Sequence, residues 1–143
     1  MLPTDVVEWL ESSPLYLGAN EYAKRNREQV ARHLHGLGID LNSQLAEFYL
    51  NYDPCCVRGW YELNRVENIA AATAFIREFS GPGYLALTGA VGGGMTLYHL
   101  PTGQVFDVEF GQFEALQAKA LPPVAESFVD YLRWCKAKDA EDA

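Results

Sequence analysis

Apolar residues recur along the chain in blocks whose spacing changes from helical to alternating and back. Near the start, Val6, Val7, Trp9 and Leu10 cluster within "TDVVEWLE". Asp5, with Glu8 three residues later, has the form of a capping box, so a short helix is expected there with Pro14 as its end. From Asn20 the spacing is helical again, with Val30, Leu34 and Leu37 on one face and Gly36 and Gly38 as stops. A third helix is expected from Ser43 to about Tyr52, burying Leu45, Phe48 and Tyr49 and closed by Pro54. Arg58 to Leu63 reads as a strand. Asn64 then caps a helix in which Glu67 returns the bond, and Ile69, Thr73, Ile76 and Phe79 form the inner stripe. "SGPG" ends that helix, and Tyr84 to Thr88 make the next strand.

Around "LPTGQ" the period shortens to two. Pro101 suits the first corner of a type I turn and Gly103 supplies the left-handed residue of a three-residue loop, so a hairpin is expected. With Leu100 opposite Gln104, Tyr98 pairs with Phe106 and Thr96 with Val108. That register places Thr96, Tyr98, Leu100, Phe106, Val108 and Phe110 on a core face and leaves Leu97, His99, Val105, Asp107 and Glu109 outside. "PPVAESFVDYLRWCKAK" reads as a closing helix, with Phe128, Leu132 and Cys135 inward and Tyr131 or Trp134 beside them. The order implies an α+β fold: a mostly antiparallel β-meander sheet packed with N-terminal helices and a C-terminal helix. Residues 1–143 are expected to form one domain, with 1–20 as a peripheral extension and 137–143 as an acidic tail.

The 143 residues suffice for a core without disulfides or metal, since a chain of this size buries roughly 68–70% of its unfolded surface. Nineteen acidic against eleven basic side chains give a net charge of -8. Such a chain repels nucleic acid and anionic membranes and favours basic partners. Lys24, Arg25, Arg27 and Arg32 read as the wet face of a helix. Asp5 and Glu8 interrupt what a secretory signal needs, and no apolar run approaches the roughly 18 residues of a membrane span. Three cysteines, two of them adjacent, make a poor disulfide framework and point to a reducing compartment, so cytoplasm is expected.

The glycines of "TGAVGGGMTLYHL" invite a phosphate-loop reading, but Gly94 is followed by Met95 and Thr96 in a strand, where a Walker loop needs Lys and a hydroxyl before a helix. A glycine bulge or approach to a strand accounts for them. His33 and His35 point apart on a helix, and Cys55-Cys56 lacks the gap of a zinc or redox site. No cofactor and no metal are expected. Cys55 or Cys56 with His99 and Asp107 or Glu109 would compose a small thiol hydrolase, yet no activating signature surrounds the cysteines. Asp107 and Glu109, about 7 Å apart along a strand, suit acid–base work but equally a solvated sheet face.

The second half resembles the SUKH superfamily, the immunity-protein family that includes the Smi/Knr-like cell-wall regulators of yeast. "GYLALTGAVGGGMTLYHLPTGQVFDVEF" and then "AESFVDYLRWC" carry the resemblance. A strand at Tyr84–Leu87 leads to a glycine turn at Gly92–Gly94 and a second strand at Met95–Leu100. The "TG-x-V-aromatic" hairpin at Thr102–Phe106 follows, and Ser127–Phe128 opens the last helix. "LNSQLAEFYLNYD" is similar to the family's early helix, so about Ile39 to Lys136 is covered. The chain departs from the family at "NYDPCC", where glycines are common, and at its all-glycine turn.

The resemblance implies a non-enzymatic protein that binds and neutralises a protein toxin delivered between bacteria, a basic nuclease-like toxin being one that net acidity would steer. It is expected to be a monomer when free. The alternative within the same fold is a regulatory or scaffold module for a cellular partner. Binding energy in such a protein concentrates in a few aromatics ringed by polar groups. The candidate partner-binding residues are Tyr52, Asp53, Trp60, Tyr61, Glu62, Leu97, Tyr98, His99, Asp107 and Glu109. Trp60 and Tyr98 have a packing alternative, because large aromatics on strands dominate cores.

Overall fold

The computed structural model describes residues 2–13, 21, 23–57, 62–89 and 93–141. Helices α1 (Thr4–Glu11), α2 (Arg27–Gly36) and α3 (Gln44–Asn51) come first, and a 3-10 turn at Pro54–Cys56 leads to α4 (Val66–Ser80). Strands β1 (Tyr84–Ala86), β2 (Gly94–His99) and β3 (Val105–Glu109) follow, then α5 (Phe113–Gln117) and α6 (Phe128–Glu141). The strands form one antiparallel meander in chain order. The fold is α+β.

Side chains alternate across a strand, so the pairings Met95 with Val108, Leu97 with Phe106 and Ala86 with Leu97 define one face of the sheet. That face packs with Ile76 of α4 and Leu116 of α5. The opposite face, with Leu85, Tyr98 and Val105, joins a larger core built from α1, α2, α3 and α6 and the first half of α4. The sheet is therefore covered on both sides. Leu2, Val6, Trp9 and Leu10, within the segment expected to be peripheral, are buried in that larger core. Trp9 donates its indole N–H to Asp139 of α6 at 3.2 Å, and Arg133 pairs with Asp5 at 3.0 Å.

The hairpin register differs from the expected one by a single residue. His99 N–H donates to the Gln104 carbonyl at 2.9 Å and Gly103 N–H to the His99 carbonyl at 2.8 Å, with Gly103 at φ +76°. Leu100, expected to close the hairpin, instead gives its N–H to the Gly83 carbonyl at 2.8 Å and so belongs to the β1–β2 ladder. The loop takes one more residue. A slip of one residue turns β3 over relative to β2: Tyr98 and Thr96 share a face with Val105 and Asp107, and Phe110 is exposed rather than core.

Three local expectations also change. The helix start near Asp5 is capped by Pro3 with no side-chain bond, and Asp5 sits in the first turn. Arg65, not Asn64, is the N-cap of α4. Asn64 instead donates its backbone N–H to Leu87 and its side-chain amide to the Ala86 carbonyl. On α4 the buried stripe runs Val66, Ile69, Ile76 and Ser80, and Phe79, one residue off that line, faces outward. The helix expected from Ser43 is α3, and Ser43 is its N-cap, accepting from the Ala46 N–H at 3.2 Å. The strand expected at Arg58–Leu63 falls mostly outside the described residues; Leu63 forms an isolated antiparallel bridge with Thr88.

Each edge of the sheet is engaged in part. The outward N–H of Ala86 goes to Thr73 Oγ1 at 3.0 Å, and its carbonyl takes the Asn64 amide. Val105 exchanges backbone bonds with Val124 and Ala125, and the Glu109 N–H goes to Gln112 Oε1 at 3.0 Å.

Candidate functional site

Register sorts the expected partner-binding residues into different places. Leu97 is completely buried under α4 and α5, so it leaves the outward face on which simple alternation put it. His99 lies on the same side at the hairpin end, its ring 4.7 Å from that of Tyr84. Asp107 and Glu109 project to the other side. Burial first and Glu109 second raise the Asp107 carboxyl above its ordinary range, with Lys138 of α6 pulling the other way. Leu97, His99, Asp107 and Glu109 thus do not form one surface.

The remaining candidates divide similarly. Tyr98 is core, and Tyr52 is buried and stacked on Phe48 with centroids 6.0 Å apart. Asp53 is buried, accepts from the Cys55 N–H at 3.0 Å and pairs with Arg65 at 2.8 Å, which is a structural role. Glu62 is exposed. Trp60 and Tyr61 lie outside the described residues.

What the structure brings to the surface is a set of phenylalanines. Phe75 and Phe79 stand one turn apart on α4 and are 69% and 47% exposed, and Phe110, just after β3, is 50% exposed. Phe113 of α5 links them, 5.8 Å from Phe79 and stacked on Phe110 at 6.4 Å. The Gln117 side-chain amide donates to the Phe79 carbonyl and ties α5 to the end of α4. Glu78, Glu109 and Glu114, each next to one of these rings in sequence, are exposed. A contiguous apolar patch with a polar rim marks an interaction site far more often than isolated exposed rings do. A signal for it exists in the sequence: α4 carries aromatics at 75 and 79 beside the stripe of Ile69 and Ile76, making it apolar on more than one face.

Beside the patch, two adjoining cavities of about 630 Å³ and 430 Å³ share Tyr84, His99, Leu116 and Lys119 as walls. Glu78 and Gln117 belong to the smaller one, so the groove begins where the phenylalanines end. The basic residues Lys24, Arg25, Arg27 and Arg32 line a separate, smaller hollow near the start of α2.

The cysteines are poor nucleophiles. Burial first, and then the charge of Asp53, push the Cys55 thiol up to about 11, and burial pushes Cys135 up to about 12. Because the thiolate is the reactive form, iodoacetamide at neutral pH is expected to label Cys55 on the order of 100-fold more slowly than an ordinary thiol. The rate should climb as the pH approaches 11. Mass spectrometry of the labelled peptide checks this, and labelling at the rate of free cysteine would contradict it.

No family model and no curated protein matches the chain. Among the described residues, no helix is long and apolar enough to cross a membrane, and no group of three His, Cys, Asp or Glu side chains could hold a metal ion.

Proposed function

We propose that this chain is a binding protein rather than an enzyme, and that it acts as an immunity protein of the Smi/Knr-like kind its sequence resembles. On this reading it sits in the cytoplasm of the cell it protects and neutralises a protein toxin by occupying it. The observation that carries the reading is the exposed phenylalanine surface of Phe75, Phe79 and Phe110, joined by the half-buried Phe113 and with exposed Glu78 and Glu114 next to its rings in sequence, on a molecule of net charge -8. Aromatic anchors supply affinity at such surfaces, while the acidic surround steers a basic partner, such as a nuclease-like toxin, toward them. The raised thiol of Cys55 and the complete burial of Cys56 weigh against a thiol hydrolase built on either.

The test is co-expression with the toxin encoded beside its gene. Cells making both proteins should grow, and cells making the toxin alone should not. If toxin-producing cells survive equally well without this chain, the immunity reading fails, and a cellular partner captured by the same face would point to the regulatory alternative.

A further inference from the structure

The groove beside the patch has a polar centre that partner binding does not use. Its construction starts in the turn "HLPTGQ". Glu126 accepts from the Gln104 amide nitrogen at 2.7 Å, which turns Gln104 Oε1 toward the Thr102 hydroxyl, 3.3 Å away. Thr102 donates to that oxygen, and its own lone pairs receive the Gln104 N–H at 3.3 Å and the His99 Nδ1 at 2.8 Å. A hydroxyl has one proton to give. In the arrangement where it goes to Gln104, His99 carries its proton on Nδ1 and presents Nε2 as a lone pair. Nε2 has no hydrogen-bond partner among the described residues. Burial and then the charge of Lys119 hold the ring below its ordinary histidine range and so favour its neutral form.

Lys119 is itself unusual. The chain leaves α5 with the Ala120 N–H bonded to the Ala115 carbonyl at 2.8 Å and Lys119 at φ +58°, the one non-glycine residue with positive φ among those described. Glycine is the usual occupant of this helix-ending position, since a side chain there costs about 1–2 kcal/mol. Lys119 forms no ion pair among the described residues. An acceptor nitrogen and a free ammonium thus line one cavity with Tyr84, Phe106 and Leu121.

We propose that this groove binds a small hydroxycarboxylate with an apolar body: Lys119 takes the carboxylate, His99 Nε2 accepts the neighbouring hydroxyl proton, and Tyr84, Phe106 and Leu121 hold the apolar part. A phosphate group is a worse fit, because phosphate sites present several donors and the neutral His99 presents none at Nε2. The site stands independently of toxin binding.

Titration of the isotopically labelled full chain by NMR tests it, with mandelate as the probe. Amides of residues 99, 100, 102–104 and 116–121 should shift and saturate. Phenylacetate, which lacks the hydroxyl, and mandelamide, which lacks the charge, should each bind at least about tenfold more weakly. Inorganic phosphate should leave these amides unshifted. Lys119→Gly relieves the backbone strain, so that variant should be at least as stable as the parent and still lose mandelate binding. The proposal is overturned if mandelate shifts none of these residues, if phenylacetate or phosphate binds as well, or if Lys119→Gly binds mandelate unchanged.

Discussion

Phe128→Ala should lower the unfolding free energy by about 3–5 kcal/mol. Phe128 opens α6 and is almost completely buried, with its ring centroid 5.3 Å from Phe48 of α3 and 6.0 Å from Tyr131. Phe48 in turn meets Tyr49 edge-on at 5.2 Å and stacks on Tyr52. The ring is therefore a central apolar contact through which the last helix joins the early ones. Its removal leaves a cavity bounded by side chains that are themselves locked, so little of the space can close. Domains of this size have only about 5–15 kcal/mol of stability in total. The measurement is urea denaturation, in which the midpoint should fall with little change in slope. A loss under about 1 kcal/mol would mean that α6 does not pack on α3 in this way.

Truncating the exposed rings should do the reverse. Phe75→Ser with Phe79→Ser is expected to leave stability unchanged or slightly raised, since both rings already face water. Affinity for the toxin should nevertheless drop by about 2 kcal/mol or more, roughly thirtyfold, the scale of a binding hot spot. Protection in the co-expression assay should weaken in step. Titration calorimetry with the purified toxin measures the first effect, and the melting curve of the free variant excludes a folding defect. Replacing Glu78, Glu109 and Glu114 with Gln should instead slow association and flatten its salt dependence, as rim charges do. If the serine pair binds the toxin as tightly as the parent chain, the phenylalanine surface is not the interface.

The contrast between these two outcomes shows what the sequence made legible. Helical spacing placed Phe128 and Phe48 in the core correctly, and the start of α3 near Ser43, the meander order and the left-handed Gly103 were readable because each is decided within a few residues. The register was not, because Leu100 could close its own hairpin or extend the neighbouring ladder, and the bond to Gly83 that decides this comes from a different turn. That one bond separated His99 from Asp107 and Glu109, while the cover of α4 and α5 put Leu97 inside. Phe79 was misplaced by a rotation of one residue, with Ser80 taking the buried slot. Helix α5 has five residues, too few for a period to show, and both Lys119 and Phe113 depend on it. Of the groove, His99 was visible as chemistry, but the chain from Glu126 through Gln104 and Thr102 follows no sequence spacing.

The closed edges of the sheet constrain how any partner can be recognised. An extended peptide commonly docks by adding a strand, using main-chain bonds that depend little on sequence. Here Ala86 has spent its outward bonds on Thr73 and Asn64, and Val105 has spent its own on Val124 and Ala125. At those positions recognition falls to side chains. Substitutions at Phe75, Phe79, Phe110 and their acidic neighbours could redirect the protein from one partner to another while the backbone scaffold beneath stays as it is.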